Sequence, residues 1–377
     1  MEAFRHFSGR LGLQQRLLPS YRGPFFDALA AACEGGLSVF AGQPMAGEAI
    51  QTSDRLEAAQ YIQAHNLHFG RVGSPLYLCW QAGLSRWLET WQPDALIVEA
   101  NPRYVSTRRA CAWMRSRSRP VLGWGLGAPQ GGGLWETLRK PRRARFLAQF
   151  DGLIAYSQRG ADEYQRMGFP ADRIFVAPNA VASGLSQPPT ERPPVFAGRP
   201  VVLFVGRLQR RKRIDNLLRA CAALPPELQP ELWIVGEGPT MAEFQALAGQ
   251  VYPQAHFPGA KRGEDLQTYF SAADLFVLPG TGGLAVQEAM AHGLPVIVAE
   301  GDGTQDDLVR PENGWRVPPG DGQALAETLR DALSNVSRLR RMGRESFRIV
   351  AEEANIERMV SVFIQAIETV MGLNHPS

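Results

Sequence analysis

Residues 274–297, DLFVLPGTGGLAVQEAMAHGLPVI, constrain the fold more than any other stretch of the chain. Residues 275–278 are a short, wholly apolar run, the length of a strand buried on both faces in a parallel sheet. Pro279 and Gly280 end it, and Thr281, Gly282 and Gly283 make a loop nearly devoid of side chains. Residues 284–291 then read as a helix, which Gly293 and Pro295 stop before the next strand opens at Val296. A glycine loop feeding a helix N-terminus leaves several backbone N–H groups unpaired and aimed at one spot, which suits an anion and above all phosphate. Glu288 lies one helical turn beyond Leu284, on the same face. A carboxylate there repels phosphate but accepts hydrogen bonds from a vicinal diol such as a ribose. Taken alone, the pattern fits equally a plain strand–turn–helix unit with Glu288 as a solvated helix residue.

At 377 residues the chain has room for two domains, at roughly 150 residues each. An apolar fraction of 45% supports real cores, and 20% charged residues argue against disorder. Cys33, Cys79, Cys111 and Cys221 are dispersed and form no CxxC pair, which argues against a disulfide framework or a zinc site and for a reducing compartment. No apolar run approaches the roughly eighteen residues of a membrane span, and the N-terminus lacks a signal-peptide apolar region, so a soluble, cytoplasmic protein is expected. Charge is uneven: residues 1–150 hold 18 Lys and Arg against 10 Asp and Glu in a chain of net +3, about +8 in that part and about −5 in the rest. A basic first half suits an anionic partner, whether a membrane surface, a lipid phosphate or nucleic acid, or it reflects scattered solvated arginines. Only RKPRRAR, residues 139–145, is a dense cluster.

In the first half, residues 11–18 and 36–41 read as strands, with a helix over 25–33 started after Pro24. In a parallel sheet this first strand-to-helix loop lies at the strand's carboxyl end, where ligands bind, so Tyr21 and Arg22 are candidate acceptor contacts or plain loop residues. A helix is expected near 54–65, with His65 and His68 sharing a face but lacking a third metal ligand. Another is expected over 75–92, with Trp80, Trp87 and Trp91 as a core stripe. A strand over 96–98 leads into Glu99, Ala100, Asn101, Pro102, Arg103 and Tyr104. This polar cluster either forms a site, with Glu99 orienting or deprotonating an acceptor hydroxyl and Asn101 and Arg103 contacting the acceptor, or is a loop in which Asn101 caps a helix that Pro102 starts. The strand from Pro120 ends in WGLGAPQGGG, a formal dinucleotide-fingerprint match that Pro129 undermines; a mobile glycine loop is expected instead. Residues 135–149 form a basic amphipathic helix, apolar at Leu134, Trp135, Leu138, Phe146 and Leu147 and interrupted by Pro141, suited to interfacial membrane contact or core docking. A strand (151–157), a helix (159–168) and a last strand (174–178) follow. Proline-rich residues 183–200 read as a linker.

The second half restarts with a buried strand, 201–205, then Gly206-Arg207-Leu208-Gln209-Arg210-Arg211-Lys212-Arg213 and a helix over 214–222. Arginine grips phosphate bidentately and lysine adds a point charge. Positive charge at a helix N-terminus is unfavourable, so a negative group is expected nearby. The strand 232–235 ends in Gly236-Glu237-Gly238-Pro239. A helix near 240–249, a strand near 255–257 and the loop Pro258-Gly259-Ala260-Lys261-Arg262 follow. Asp302, Asp306 and Asp307 read as turn and cap residues, 322–333 as a helix and 337–372 as helical throughout.

GRLQRRK, VGEGP, the strand–PGTGG–helix with Glu288, and NGWRVPPGD, in this order over most of residues 200–372, resemble the family-four glycosyltransferases of the GT-B fold. IAYSQRG and IFVAPNAV resemble the end of that family's N-terminal domain. The resemblance implies an α/β chain of two Rossmann-like domains facing a central cleft, with the last helix crossing back to the first domain. Its domains would be 1–182 for the acceptor, a linker over 183–200, 201–353 for the nucleotide sugar and 354–377 for the returning helix. It implies that Arg207 and Lys212, following Gly206, bind a donor diphosphate. The amides of Gly282, Gly283 and Leu284 would hold its distal phosphate, with Gly280 and Thr281 in the same loop. Glu288 would hold the ribose, and Lys261 and Arg262 would border the base. Two positions depart from the family: Gly280 stands where a sugar-contacting glutamate is usual, and Gly125 and Leu126 stand where an N-domain histidine is common. The implied activity is a metal-independent, retaining transfer of a hexose-type sugar from a UDP- or GDP-linked donor, with no separate cofactor. The acceptor would be a saccharide or lipid-linked hydroxyl, reached in the cytoplasm or at the inner membrane face, and nucleic acid is not expected as a partner. The alternatives are a catalytically silent subunit that binds nucleotide sugar and a sugar-nucleotide epimerase of the same fold.

Overall fold

The computed structural model describes every residue except 1–5, 46–47, 49, 72–73, 75, 129–133, 186, 302 and 375–377, and the side chains of 134–139 and 373–374. The expected glycine loop at 129–133, Asp302, and the side chains of Leu134, Trp135 and Leu138 therefore lie outside the described residues. The chain divides into two compact units: residues 1–181 with 356–377, and residues 182–355.

The first unit runs β1 (Leu11–Leu17), α1 (Gly23–Ala31), β2 (Leu37–Gly42), β3 (Gln60–Gln63), β4 (His65–Phe69), β5 (Leu78–Ala82), α2 (Leu84–Trp91), β6 (Ala95–Glu99), α3 (Thr107–Arg115), β7 (Val121–Gly125), α4 (Leu134–Leu147), β8 (Gly152–Ala155), α5 (Gln158–Arg166) and β9 (Ile174–Val176). Its seven-stranded sheet has the order β3-β2-β1-β6-β7-β8-β9, and its ladders are parallel. The order reverses between β1 and β6, which makes their carboxyl ends the ligand crevice expected of such a sheet.

The second unit runs β10 (Val201–Val205), α6 (Ile214–Ala222), β11 (Glu231–Val235), α7 (Met241–Val251), β12 (Ala255–Gly259), α8 (Gly263–Ala272), β13 (Leu275–Leu278), α9 (Ala285–Ala291), β14 (Val296–Ala299), α10 (Thr304–Leu308), β15 (Gly314–Val317), α11 (Gly322–Leu333) and α12 (Val336–Glu352). Its parallel order, β12-β11-β10-β13-β14-β15, reverses between β10 and β13. The last helix, α13 (Ile356–Asn374), belongs to the first unit. Phe363 on it packs edge-on against Phe25 of α1 and Trp124 of β7, each with ring centroids 5.0 Å away.

Several local expectations are corrected. No helix forms at 54–65; β3 pairs parallel with β2, and β4 pairs antiparallel with β5 in a separate hairpin. His65 and His68 therefore lie on opposite faces of a strand. The helix expected over 75–92 is β5 followed by α2, broken at Gly83, whose φ of 89° no helix accommodates. Trp80 thus leaves the tryptophan stripe, while Trp87 stacks on Phe40 and donates to Ser38 Oγ over 2.9 Å. Asn101 caps no helix: α3 starts at Thr107, and Asn101 Oδ1 instead accepts the Arg103 amide. Pro141 lies inside α4 without ending it. The helix expected over 337–372 is two, because Asn355 turns its amide onto the carbonyls of Val350 and Ala351 and closes the end of α12. Helix α8 was not foreseen.

The described residues of 183–200 hold neither helix nor strand but are tied to the second unit. Arg192 donates to the carbonyls of Phe270, Ala273, His292 and Gly293, closing the C-terminal ends of α8 and α9 together. A cation suits both helix ends. Burial pulls the Arg192 guanidinium down to about 10, with Arg340 nearby adding to the effect.

Candidate active site

In the second unit the turn after β10 and the turn after β13 meet at the reversal point of the sheet. Lys212 is buried, and its Nζ donates to the Thr281 carbonyl over 2.9 Å and to the Gly282 carbonyl. Arg211 donates to the same Thr281 carbonyl over 3.2 Å and accepts the Thr281 amide on its own. Gly280 sits where a side-chain carbon would overlap the Arg211 carbonyl and lie 2.6 Å from Lys212 Cα. Only glycine lets the two backbones approach this closely. Gly282, at φ 67°, then turns the chain toward Leu284 and α9.

Glu288 projects from the first turn of α9. Burial raises its carboxyl above the usual value, and no cation is among the causes of that shift. A half-buried carboxylate in this state favours neutral hydroxyl donors. The Arg207 side chain is half-buried just beyond Gly206. Lys261 and Arg262 follow β12, two strands from β10, on the carboxyl-end side of the parallel sheet. The turns after β10 and β11 are laced together by the Leu208 amide donating to the Glu237 carbonyl over 2.9 Å.

The rest of the basic run divides. Arg210 pairs with Glu243 and Arg213 with Asp215, so part of the negative charge expected near this helix start comes from the protein itself. Arg211 was not singled out in the sequence, nor was Gln305, whose buried amide reaches the Gly280 carbonyl at 3.5 Å. The doubling of Arg211 and Lys212 gave only a charge signal, and Gln305 gave none.

In the first unit a cavity of about 500 Å³ opens at the carboxyl ends of β6 and β7, lined among others by Glu99, Asn101, Arg103, Trp124 and Tyr156. Glu99 Oε2 accepts the Arg16 amide across the β1/β6 reversal point, and burial raises its carboxyl above the usual value against the pull of that bond and of Arg22 and Arg16. Tyr21 is 41% exposed and Arg22 8%. The Arg22 guanidinium lies 4.2 Å over the Trp124 ring and donates to Tyr156 Oη over 2.6 Å. Its buried Nε and the Trp124 Nε1 have no partner among the described residues. Leu126, at the position where the related family often carries histidine, is 52% exposed.

Two family patterns match the chain: "Glycosyl transferase 4-like domain" over residues 30–180 and "Glycosyl transferases group 1" over residues 190–348. The chain belongs to the family-four glycosyltransferases of the GT-B fold. Among curated family members, the chain is 35% identical over 144 residues to a GDP-mannose-dependent alpha-mannosyltransferase of Mycobacterium tuberculosis, covering 37% of this chain and 35% of that one. It is 30% identical over 206 residues to the amylovoran biosynthesis glycosyltransferase AmsK of Erwinia amylovora, covering 49% of this chain and 48% of that one. It thus spans about half or less of the length of these relatives. The GT-B fold itself is shared with Anabaena HepE, solved in complex with UDP, at TM-score 0.70 and 17% identity over 96% of this chain and 99% of that one. Family-four membership gives the parallel two-unit architecture its context. It also makes the Gly280 departure informative, because the side chain usual in the family has no room at this position.

Proposed function

We propose that the chain transfers a hexose-type sugar from a UDP- or GDP-linked donor to a saccharide or lipid-linked hydroxyl, with retention of configuration and without a metal ion. The observation that carries this reading is the junction of the Arg207–Lys212 turn with the Gly280–Leu284 turn at the reversal point of the second sheet. Arg207, Lys212 and the amides of Gly282, Gly283 and Leu284 would hold the diphosphate, and Glu288 the ribose hydroxyls. Lys261 and Arg262 would border the base. In such a transfer the sugar's anomeric carbon leaves the phosphate oxygen and bonds to the acceptor oxygen on the same face. The departing phosphate oxygen takes the acceptor's proton. The protein's main task is then to stabilise charge on the leaving diphosphate, which fixed cations and amides do without reorganising.

Glu99, Asn101 and Arg103, with Tyr21 and Arg22 beside them, would receive the acceptor in the first unit. Support for a nucleotide-sugar donor also comes from the GDP-mannose dependence in one relative's name and the UDP in the solved neighbour. The test is a melting-temperature screen with UDP-, GDP- and ADP-sugars, followed by assay of the purified chain with the stabilising donor. A donor-specific rise in melting temperature together with glycosylated product supports the reading. A rise with no transfer to any acceptor favours a silent subunit, and free nucleotide or epimerised sugar formed without acceptor favours an epimerase.

A further inference from the structure

The β4–β5 hairpin carries its polar face inward and its apolar face outward. Facing in, Gln81 donates to the Gln15 carbonyl over 2.9 Å and to Asn66 Oδ1 over 3.0 Å, Asn66 donates to the Arg16 carbonyl over 2.8 Å, and Cys79 is fully buried. Facing out, Leu67 opposes Trp80 and Phe69 opposes Leu78 across the ladder. Leu67, Phe69 and Leu78 are 41%, 57% and 42% exposed. The segment after β6 extends this surface. Cys79 donates to the Arg103 carbonyl and accepts from the Val105 amide, which by strand alternation sets Arg103 and Val105 on the outward side. A contiguous apolar surface of this kind on a soluble domain marks an interaction site.

The charged side chains that these segments contribute have one sign. Arg109 lies 5.8 Å over the Trp80 ring, and Arg71, Arg103 and Arg108 are exposed. Neither β4, β5 nor residues 100–109, which build the surface, contain an Asp or Glu. We propose that this face docks on an anionic lipid bilayer, with the leucines, Phe69 and Trp80 at the headgroup–acyl boundary and the arginines against lipid phosphates. Apolar and aromatic side chains ringed by arginine match that boundary on both counts. A second copy of the chain fits poorly, because a two-fold contact would set arginine against arginine. Among the described residues no helix is long and apolar enough to cross a membrane, so the contact is a surface one. Arg103 also lines the cavity beside Glu99, so an acceptor carried in the membrane would arrive next to it. The inference rests on the lipid-linked acceptor named in the proposed function and is independent of the donor site.

The test is co-sedimentation of the full chain with vesicles of phosphatidylcholine alone or mixed with phosphatidylglycerol. Binding to the anionic vesicles is expected, reduced by about tenfold or more in Leu67→Ser/Phe69→Ser/Leu78→Ser, with a cooperative melting transition retained because each side chain is only partly buried. Arg108→Glu/Arg109→Glu should weaken binding to anionic vesicles by a similar factor. The proposal is overturned if the native chain ignores vesicles. It is also overturned if the apolar triple variant binds as well while Arg142→Glu/Arg145→Glu on α4 abolishes binding, or if the triple variant splits a dimer of the native chain into monomers. A donor-induced rise in melting temperature, read on the same samples, reports on the transferase reading separately.

Discussion

The ammonium of Lys212 donates to the Thr281 carbonyl over 2.9 Å, across 69 residues of sequence. With the neighbouring bond to Gly282 it fixes the glycine turn after β13 against the basic turn after β10. The side chain that would serve the diphosphate thus also shapes the loop whose amides would share it.

Restoring the glutamate usual in the family at position 280 should harm this chain. A side chain there overlaps the Arg211 carbonyl and crowds Lys212 Cα at 2.6 Å. Gly280→Ala and Gly280→Glu should each cost about 1–3 kcal/mol by overpacking and lower donor affinity with it. Thermal unfolding with and without UDP or GDP checks this. A Gly280→Glu variant with native stability and faster transfer would show that the glycine is a lost sugar contact.

Glu288 carries a stability cost that its proposed role explains. Burial raises its folded-state pKa above the usual 4.5. Folding is therefore favoured while the carboxyl is protonated, and that advantage is lost as pH rises through the raised folded value. Glu288→Gln should melt higher than the native chain at pH 7, with the difference closing below pH 4.5. Its affinity for nucleotide sugar should fall at pH 7. Donor affinity of the native chain should also weaken as acid protonates Glu288. Melting curves and titration calorimetry across this range read both effects.

Much of the second unit was legible because its strands are short, unbroken apolar runs punctuated by glycine and proline. The stretch 201–205, the helix 214–222 and the run 275–278 appear in the structure as read. The hairpin was not legible, since its apolar residues face outward and the polar ones inward, the reverse of what patterning assumes. Residues 60–65 and 78–82 have helical spacing by coincidence, and the strand pairing of β3 with β2 and of β4 with β5 overrides it, while 84–91 does form α2. The polar residues inside β1 were equally opaque. Gln14 finds Gln81 and Ser106, and Arg16 forms a partly buried bidentate pair with Glu48. None of these partners is near in sequence. In the site, the basic run after β10 showed its charge but not its division among Glu243, Asp215 and the glycine turn.

Arg192 is expected to matter far more than its place in a proline-rich, structureless stretch suggests. Arg192→Ala strips partners from carbonyls at the ends of both α8 and α9. Leaving such groups unsatisfied should cost about 3 kcal/mol, and Arg192→Lys should recover only part, because a single ammonium cannot reach carbonyls of two helices. Denaturant unfolding followed at the second unit measures it; a change below about 0.5 kcal/mol would mean that the strap is peripheral.

The central claim is that the Arg207–Lys212 and Gly280–Leu284 turns jointly bind a diphosphate. Calorimetric titration of the purified chain with a nucleoside, its monophosphate and its diphosphate tests it most directly, in native, Arg207→Ala and Lys212→Ala forms. The account predicts that affinity rises with the second phosphate and that each variant loses about tenfold or more for the diphosphate, as loss of a charge-assisted contact implies, with little change for the nucleoside. Equal affinity for nucleoside and diphosphate in the native chain, or native diphosphate affinity in both variants, would contradict it.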